Sequence, residues 1–417
     1  MRIFKSGGAS VKDASGIKNV FDVLQKVGYQ EVLVVVSAMG KTTNALEIVV
    51  KNYFEKSNQL NESVQEVEKY HNQILLDLFQ DDKNEVFTVV NNHFTDLDYF
   101  LSHNKSPNYD FAYDQIVSYG EIISSTILNS YMNYSNVESE WLDVRNFIKT
   151  DTNYRDASVN WEITQKNISK IVKKKSLFIT QGFLGSDENG FTTTLGREGS
   201  DYTAAIFAYC LNAENVTIWK DVPGVMNADP RYFENATLLN QISYREAIEL
   251  AFYGASVIHP KTLQPLQKKE IPLYVKSFLN PILPGTSVSK GEDLEPKLPC
   301  FIVKKEQLLL SVSSIDFSFI MEENISEIFQ LFHLYKMKVS LIQNSAISFS
   351  VCLEDKFGHF ETLKKILAKK FKVTFNLNVS LYTIRHFDQK SSDLVEKNKT
   401  VLLKQLSRET MQIVTLE

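Results

Sequence analysis

Through the first 280 residues of this 417-residue chain, short and almost wholly apolar runs alternate with segments of helical spacing. The runs are Met1–Phe4, Val32–Ser37, Trp141–Val144, Leu177–Thr180, Val216–Trp219 and Leu273–Val275. A strand that is apolar at nearly every position has to be covered on both faces, as a parallel strand is between two helical layers. The segments between the runs, such as Glu121–Tyr131 and Tyr202–Leu211, place apolar residues three and four apart, so each buries one stripe of a helix. The pattern predicts an α/β domain whose mostly parallel sheet is sandwiched by helices.

Two stretches break the alternation. Between Ala45 and Gln115 no strand-like run occurs, and Ser63–Phe79 shows helical spacing, so this region reads as a helical insertion that serves packing first, with a lid or an oligomer contact as the functional alternatives. At Leu279–Lys297 prolines, glycines and charges gather, which is linker or edge-strand chemistry. Beyond it the chain restarts with a strand at Leu308–Ile315, a helix at Asn324–Tyr335, strands at Lys338–Asn344 and Ile347–Leu353, and a helix at His359–Lys370. Strands follow near Ser380–Arg385, Thr400–Gln405 and Thr410–Thr415. The β-α-β-β-α order predicts a small ferredoxin-like unit with further strands. The expected domains are 1–285, with the insertion at about 45–115, and 298–417, whose closing part lacks a full second set of helices.

Composition narrows the function classes. A net charge of −5 argues against nucleic acid as a partner, and basic runs such as Lys173–Lys175 and Lys364-Lys365 read as solvated helix faces. No apolar run reaches membrane-spanning length, and MRIFKSGGAS lacks the apolar core of a signal peptide. Cys210, Cys300 and Cys352 are widely spaced and odd in number, which fits neither a disulfide framework nor a zinc site and points to a reducing cytoplasm. The seven histidines show no metal-ligand spacing, so no protein-bound metal site is expected.

Several polar clusters stand at the ends of predicted strands, where α/β proteins bind ligands. Lys5-Ser6-Gly7-Gly8 follows the first and can cradle a phosphate, or simply turn the chain. Ser37 to Asn44 follows the second; its Gly-Lys-Thr invites a P-loop assignment, but Val35 stands where that motif needs its first glycine. Gly120-Glu121 opens a helix, where a carboxylate serves as a dipole partner or faces a ligand amine. Thr192–Ala204 packs glycines, Arg197, Asp201 and hydroxyls around a turn before a helix. Such a segment is either an anion site or a capped helix start. Asp221 and Asp229-Pro230-Arg231 follow a further strand and are also ordinary turn chemistry.

Taken in order, KSGGASV, VVVSAMGKTTNAL, SYGE, LDVR, TQGFLGS, TTTLGREGSDYTAA, DVPGVMNADPR, GASVIHPKT and IPLYVKSF–P–GT resemble the aspartate kinases of the amino-acid kinase superfamily. The resemblance covers about two thirds of the chain, through nine motifs in the family's order. It implies an amino-acid kinase fold followed by an ACT regulatory region. It also implies Mg²⁺-assisted transfer of a phosphoryl group from ATP to the side-chain carboxylate of L-aspartate, opening lysine, threonine and methionine biosynthesis. A homodimer or higher oligomer formed through the ACT region is implied as well. The rival readings are a kinase for a related amino acid and an inactive amino-acid sensor on the same fold.

Carried over by position, the resemblance makes Lys5 the lysine that bridges the transferring group, with Gly7 and Gly8 contacting phosphate. Ser37, Thr43, Glu121, Arg197, Ser200 and Asp201 become the aspartate pocket, with Glu121 on the α-amino group and Arg197 on a carboxylate. Lys5, Arg197 and Asp201 form the catalytic set. Lys220, Asp221, Asp229, Arg231 and Lys261 fall on the nucleotide side, and His259 is structural. The chain departs from the family pattern at Ser6, Ala9, Glu198 and Ser256, and Glu198 stands where many relatives carry a glycine. In the regulatory part Ser340 and Ala346 replace acids of lysine-sensing relatives, so weak or absent lysine feedback is expected.

Overall fold

The structure, a computed structural model, describes residues 1–416 except 80–83, 172–176, 256–257 and 292. The run Lys173–Lys175 and the departure at Ser256 lie outside the described residues. The chain forms two compact units. The first comprises 1–225, 238–248 and 257–296, and the second comprises 226–237, 249–256 and 297–417.

The first unit is built on an eight-stranded sheet. In chain order its strands are β1 (Arg2–Ser6), β2 (Val32–Val36), β3 (Ser139–Leu142) and β4 (Leu177–Gln181), then β7 (Val216–Lys220), β8 (Gln241–Ser243), β9 (Leu273–Ser277) and β10 (Thr286–Ser289). A separate two-stranded ribbon, β5 (Leu184–Ser186) with β6 (Thr192–Thr194), rises after β4. The sheet order is β3-β4-β2-β1-β7-β9-β10-β8, and every pairing is parallel except that of β9 with β10. All six predicted runs fall on strands of this sheet, although Val144 of the third lies in a 3-10 turn beyond β3. β8 and β10 are short and carry polar residues at most positions, so they give no apolar run to read.

Alternation along β2 divides the two faces of the sheet. Val32, Val34 and Val36 join one core cluster with Ile17, Val20 and Leu24 of the helix Ala14–Val27, and with Ile123 and Ile127 of the helix Tyr119–Tyr134. The helix Gly199–Leu211, buried along nearly its whole length, packs against β1, β2 and β7. Between β2 and β3 helices are the only regular elements among the described residues, running Thr42–Phe54, Leu60–Leu78, Glu85–His103, Tyr109–Val117 and Tyr119–Tyr134. These helices extend the same core cluster through Val64, Val67, Leu75, Val90, Phe94 and Ile116.

The second unit carries a six-stranded antiparallel sheet. Its strands are β11 (Cys300–Ser313), β12 (Lys338–Asn344), β13 (Ser348–Glu354), β14 (Lys372–Arg385), β15 (Thr400–Leu406) and β16 (Thr410–Leu416), in the order β12-β13-β11-β14-β16-β15. β11 and β14 pair along nearly their whole length, with register shifts around Gln307 that divide the sheet in two. Leu308, Leu310 and Val312 form one core with the helices Glu322–Leu334 and Phe360–Leu367, and Ile384, Val395 and Ile413 form another beside the short helix Gln389–Glu396. β14 starts eight residues before the predicted strand, because its first half, KVTFNLN, is mostly exposed and lacks an apolar run. Among the described residues no helix is long and apolar enough to cross a membrane.

Candidate active site

β4, β2, β1 and β7 are adjacent, and their C-terminal ends open on one cleft of about 480 Å³. It is lined by Lys5, Ser37, Thr43, Tyr113, Glu121, Arg155, Phe183, Gly196, Arg197, Glu198, Gly199, Ser200, Asp201 and Lys220. Parallel strands direct their outgoing loops to the same side, so residues far apart in sequence converge there.

The loops after β1 and β2 are laced together. Ser37 N–H donates to the Ser6 carbonyl at 3.1 Å, and Gly40 N–H donates to the Gly8 carbonyl at 3.1 Å. A Cβ on Gly8 would sit 2.8 Å from the Ala38 carbonyl oxygen, so only glycine permits this approach. The helix Tyr119–Tyr134 comes up beneath, where Gly120 leaves 3.0 Å between its would-be Cβ and that of Ala38. Ser124 Oγ donates to the Ser37 carbonyl at 2.8 Å and fixes the contact.

Glu121, on the first turn of that helix, is 3% exposed. Its Oε1 accepts from Ala38 N–H at 3.3 Å, while its Oε2 is buried without a hydrogen-bond partner. Burial pushes the carboxyl from its ordinary range up to about 8, against smaller opposing effects of the Ala38 N–H and the Lys5 ammonium. A buried acid with one oxygen unused is poised to receive a cation.

Opposite stands the start of the helix Gly199–Leu211. Gly182 and Gly199 let it approach the loop after β4. A Cβ on Gly182 would fall 2.4 Å from Ser200 Cβ, and one on Gly199 would fall 2.6 Å from Phe183 Cδ2. Phe183 N–H donates to Thr203 Oγ1 at 3.0 Å, locking the two together. Asp201, on the first helical turn, pairs with Lys5 at 2.7 Å. The two side chains are only 4% and 12% exposed. Lys220, at the end of β7, is held below its usual range by burial, an effect that Asp201 opposes. Arg197 is exposed at the cleft mouth.

Glu198 caps this helix with φ 55° and ψ 29°, a left-handed conformation that suits glycine. The sequence marks it as a departure from glycine, and the backbone supplies the reason glycine belongs there. Its Oε2 is buried without a hydrogen-bond partner, and its carboxyl is raised, first by burial and then by the Asp201 charge.

Of the residues singled out in the sequence, the cleft gathers Lys5, Ser37, Thr43, Glu121, Arg197, Ser200, Asp201 and Lys220. Gly7 and Gly8 lie in the turn just behind Lys5, and Asp221 is exposed one residue beyond Lys220. Lys261 pairs with Asp156 at the start of the helix Pro260–Lys269, and His259 caps that helix by accepting from Lys261 N–H at 3.2 Å. Asp229 and Arg231 belong to the second unit, where they pair with each other.

Sequence reasoning missed Tyr113, Arg155 and Phe183. Tyr113 sits in the helical insertion, so that insertion contributes a wall of the cleft besides its packing role. Arg155 and Phe183 both have positive φ, at 70° and 67°. Strained non-glycine backbone is a signal of function, but one visible only in coordinates.

Residues 1–277 match the amino acid kinase family, and the chain belongs to that family. Among individual relatives, the lysine-sensitive aspartokinase 3 of Escherichia coli K12 is 34% identical over 245 residues, covering 58% of this chain and 54% of that protein. The chain spans about half the length of the curated relatives it matches first. The crystal structure of E. coli aspartokinase III with lysine and aspartate in its T-state superposes with a TM-score of 0.84. It is 26% identical, covering 99% of this chain and 95% of that one. The R-state of the same enzyme with aspartate and ADP gives 0.82 at 25% identity, covering 100% and 96%.

Proposed function

We propose that the protein is an aspartate kinase, which transfers the γ-phosphoryl group of ATP to the side-chain carboxylate of L-aspartate and releases 4-phospho-L-aspartate and ADP. The observation that carries this reading is the pairing within one cleft of a buried, half-unpartnered Glu121 with the cations Lys5, Lys220 and Arg197. An amino-acid ammonium fits the first, and carboxylate and phosphate groups fit the others. Similarity to a structure that holds aspartate with ADP supports the same choice of substrates.

The nucleophile is a carboxylate whose ordinary pKa is near ~3.9, so it reaches the site ionised and needs no general base. Its oxygen forms a bond to the γ-phosphorus as the bond from that phosphorus to the β–γ bridging oxygen breaks; the electron pair leaves with ADP and no proton moves. The difficulty is bringing two anions together. Lys5 and Lys220 offset the charge spreading over the phosphoryl oxygens, and the N–H groups at the start of the helix Gly199–Leu211 add partial positive charge. Asp201 holds the Lys5 ammonium in place, Glu121 takes the substrate ammonium, and Arg197 takes a carboxylate. Gly7, Gly8, Asp221 and Lys261 keep the nucleotide-side roles that the resemblance implies.

Among the described residues there is no group of three or more His, Cys, Asp or Glu side chains set to hold a metal ion. Mg²⁺ that arrives with the nucleotide needs only one or two carboxylates beside the phosphates. Asp201 and the buried, unbonded Oε2 of Glu198 are the donors available in the cleft. When bound, the ion would neutralise phosphate charge.

In the second unit β12 and β15 are the edge strands, and pairing of such an edge with a second copy is the proposed route to a homodimer. The test of function is ADP release from ATP and Mg²⁺ with aspartate, glutamate, N-acetylglutamate or no acceptor. Turnover that depends on aspartate supports the proposal. Preference for another acceptor reassigns the substrate, and silence with all of them favours the inactive sensor.

A further inference from the structure

Arg155 is a second arginine in the cleft. Its guanidinium lies 4.3 Å from the centre of the Tyr113 ring, a cation–π shelf, and Tyr113 is fixed by donating its hydroxyl to Glu47 at 2.7 Å. The only carboxylate paired with Arg155 among the described residues is Asp110, at 3.2 Å. Both partners are about half exposed, so this pair contributes little and exchanges readily. The backbone beneath is not free to move. Arg155 holds φ 70° because its N–H donates to the buried Asp114 carboxylate at 3.0 Å. That carboxylate also accepts from Thr194 N–H at 2.8 Å and Thr194 Oγ1 at 2.7 Å. Thr194 ends the ribbon strand that leads into Arg197. One buried carboxylate therefore ties together the two loops that carry the cleft's arginines.

Resting on the reading of the cleft as an aspartate site, we propose that Arg155 binds the main-chain carboxylate of the acceptor, releasing Asp110 to do so, and thereby sets acceptor specificity. The ammonium and main-chain carboxylate of an amino acid share one carbon, so the cation for the carboxylate has to stand on the wall that carries Glu121. Thr43, Tyr113 and Glu121 all come from the helices between β2 and β3, and Arg155 rests on that wall. The acceptor brings two carboxylates and the cleft two guanidinium groups, which leaves Arg197 for the reacting end. A planar guanidinium on an aromatic shelf suits two-pronged recognition of a carboxylate.

Steady-state kinetics of the full chain test this with Arg155→Gly, which suits the positive φ and so preserves the fold, and with Arg155→Lys. In Arg155→Gly the KM for aspartate rises roughly 10- to 100-fold, while kcat at saturation and the KM for ATP hold. Arg155→Lys restores part of the loss. The α-amide of aspartate, which keeps the ammonium and side-chain carboxylate, reacts equally with wild type and Arg155→Gly. Asp110→Asn, which removes the competing carboxylate, lowers the KM for aspartate. An unchanged KM for aspartate in Arg155→Gly, or a rise in the KM for ATP in its place, overturns the assignment. Wild-type protein that turns over no aspartate would instead overturn the proposed function.

Discussion

Glu121→Gln separates the stability role of the cleft's buried acid from its binding role. In the folded protein the Glu121 carboxyl keeps its proton up to about pH 8, because burial penalises its charged form. In the unfolded chain the same group ionises around the ordinary 4.5. Between those values the unfolded state binds fewer protons, so stability falls as pH rises. The penalty is absent below pH ~4.5 and full above pH ~8, and at ~1.4 kcal/mol per unit it approaches ~4 kcal/mol at pH 8. Glutamine has the same shape and no charge to desolvate. The variant should therefore match wild type to within about 1 kcal/mol at pH 5. At pH 8 it should melt higher, by on the order of 5–10 °C for a unit of this size. The function predicts the opposite cost. Aspartate binding pairs an ammonium with ionised Glu121, so at pH 7 wild type should release most of a proton per aspartate bound. Calorimetry in buffers of different ionisation heat reads that number, and the variant should neither release the proton nor bind aspartate tightly. Equal melting shifts at pH 5 and pH 8, together with no proton release, would show that Glu121 is neither held neutral by burial nor the partner of the substrate ammonium.

Replacing Lys5 by Met removes the ammonium from the reaction and leaves Asp201 buried without its partner. We expect kcat to fall on the order of 10²-fold or more and stability to drop by about 3–5 kcal/mol, read by ADP release and thermal melting. Adding Asp201→Asn should recover much of the stability and none of the activity. Glu198→Gly should raise stability by about 1 kcal/mol, since glycine adopts the left-handed cap without strain; a lower melting temperature would show that the carboxylate is held by the lysines around it. Gly182→Ala, whose methyl would lie 2.4 Å from Ser200 Cβ, should destabilise the cleft and raise the KM for aspartate together. Lysine at millimolar concentration should leave activity nearly unchanged, because Ser340 already accepts from Lys304 Nζ at 3.1 Å, and the positive charge of Lys338 acts on that lysine more strongly than the opposing Glu354. Strong inhibition would contradict that reading.

The parallel sheet was legible because its central strands are covered on both faces and so are apolar throughout, as in Val32–Val36. Short strands such as Gln241–Ser243, and the exposed first half of β14, escaped for the converse reason: their positions are set by neighbours rather than by their own hydrophobicity. The cleft was legible where polar residues end apolar strands, as at Lys5 and Ser37. It was illegible where the contribution comes from a loop held by a distant carboxylate. Arg155 owes its place to Asp114, forty-one residues earlier, and nothing in the local sequence announces that bond. Glu198 lies between these cases. Its oddity showed in the motif, whereas its cause, a positive φ at a helix cap, showed only in the fold.

If this cleft is an aspartate kinase site, its product is an acyl phosphate on aspartate. Hydroxylamine converts an acyl phosphate to a hydroxamate, so the direct measurement is the amount and identity of hydroxamate formed beside ADP when purified protein meets ATP, Mg²⁺, aspartate and hydroxylamine. Aspartyl β-hydroxamate is expected in one-to-one ratio with ADP, and it should be lost in the Lys5→Met variant. ADP formed without hydroxamate, or hydroxamate formed equally well by the Lys5→Met variant, would contradict the proposed function.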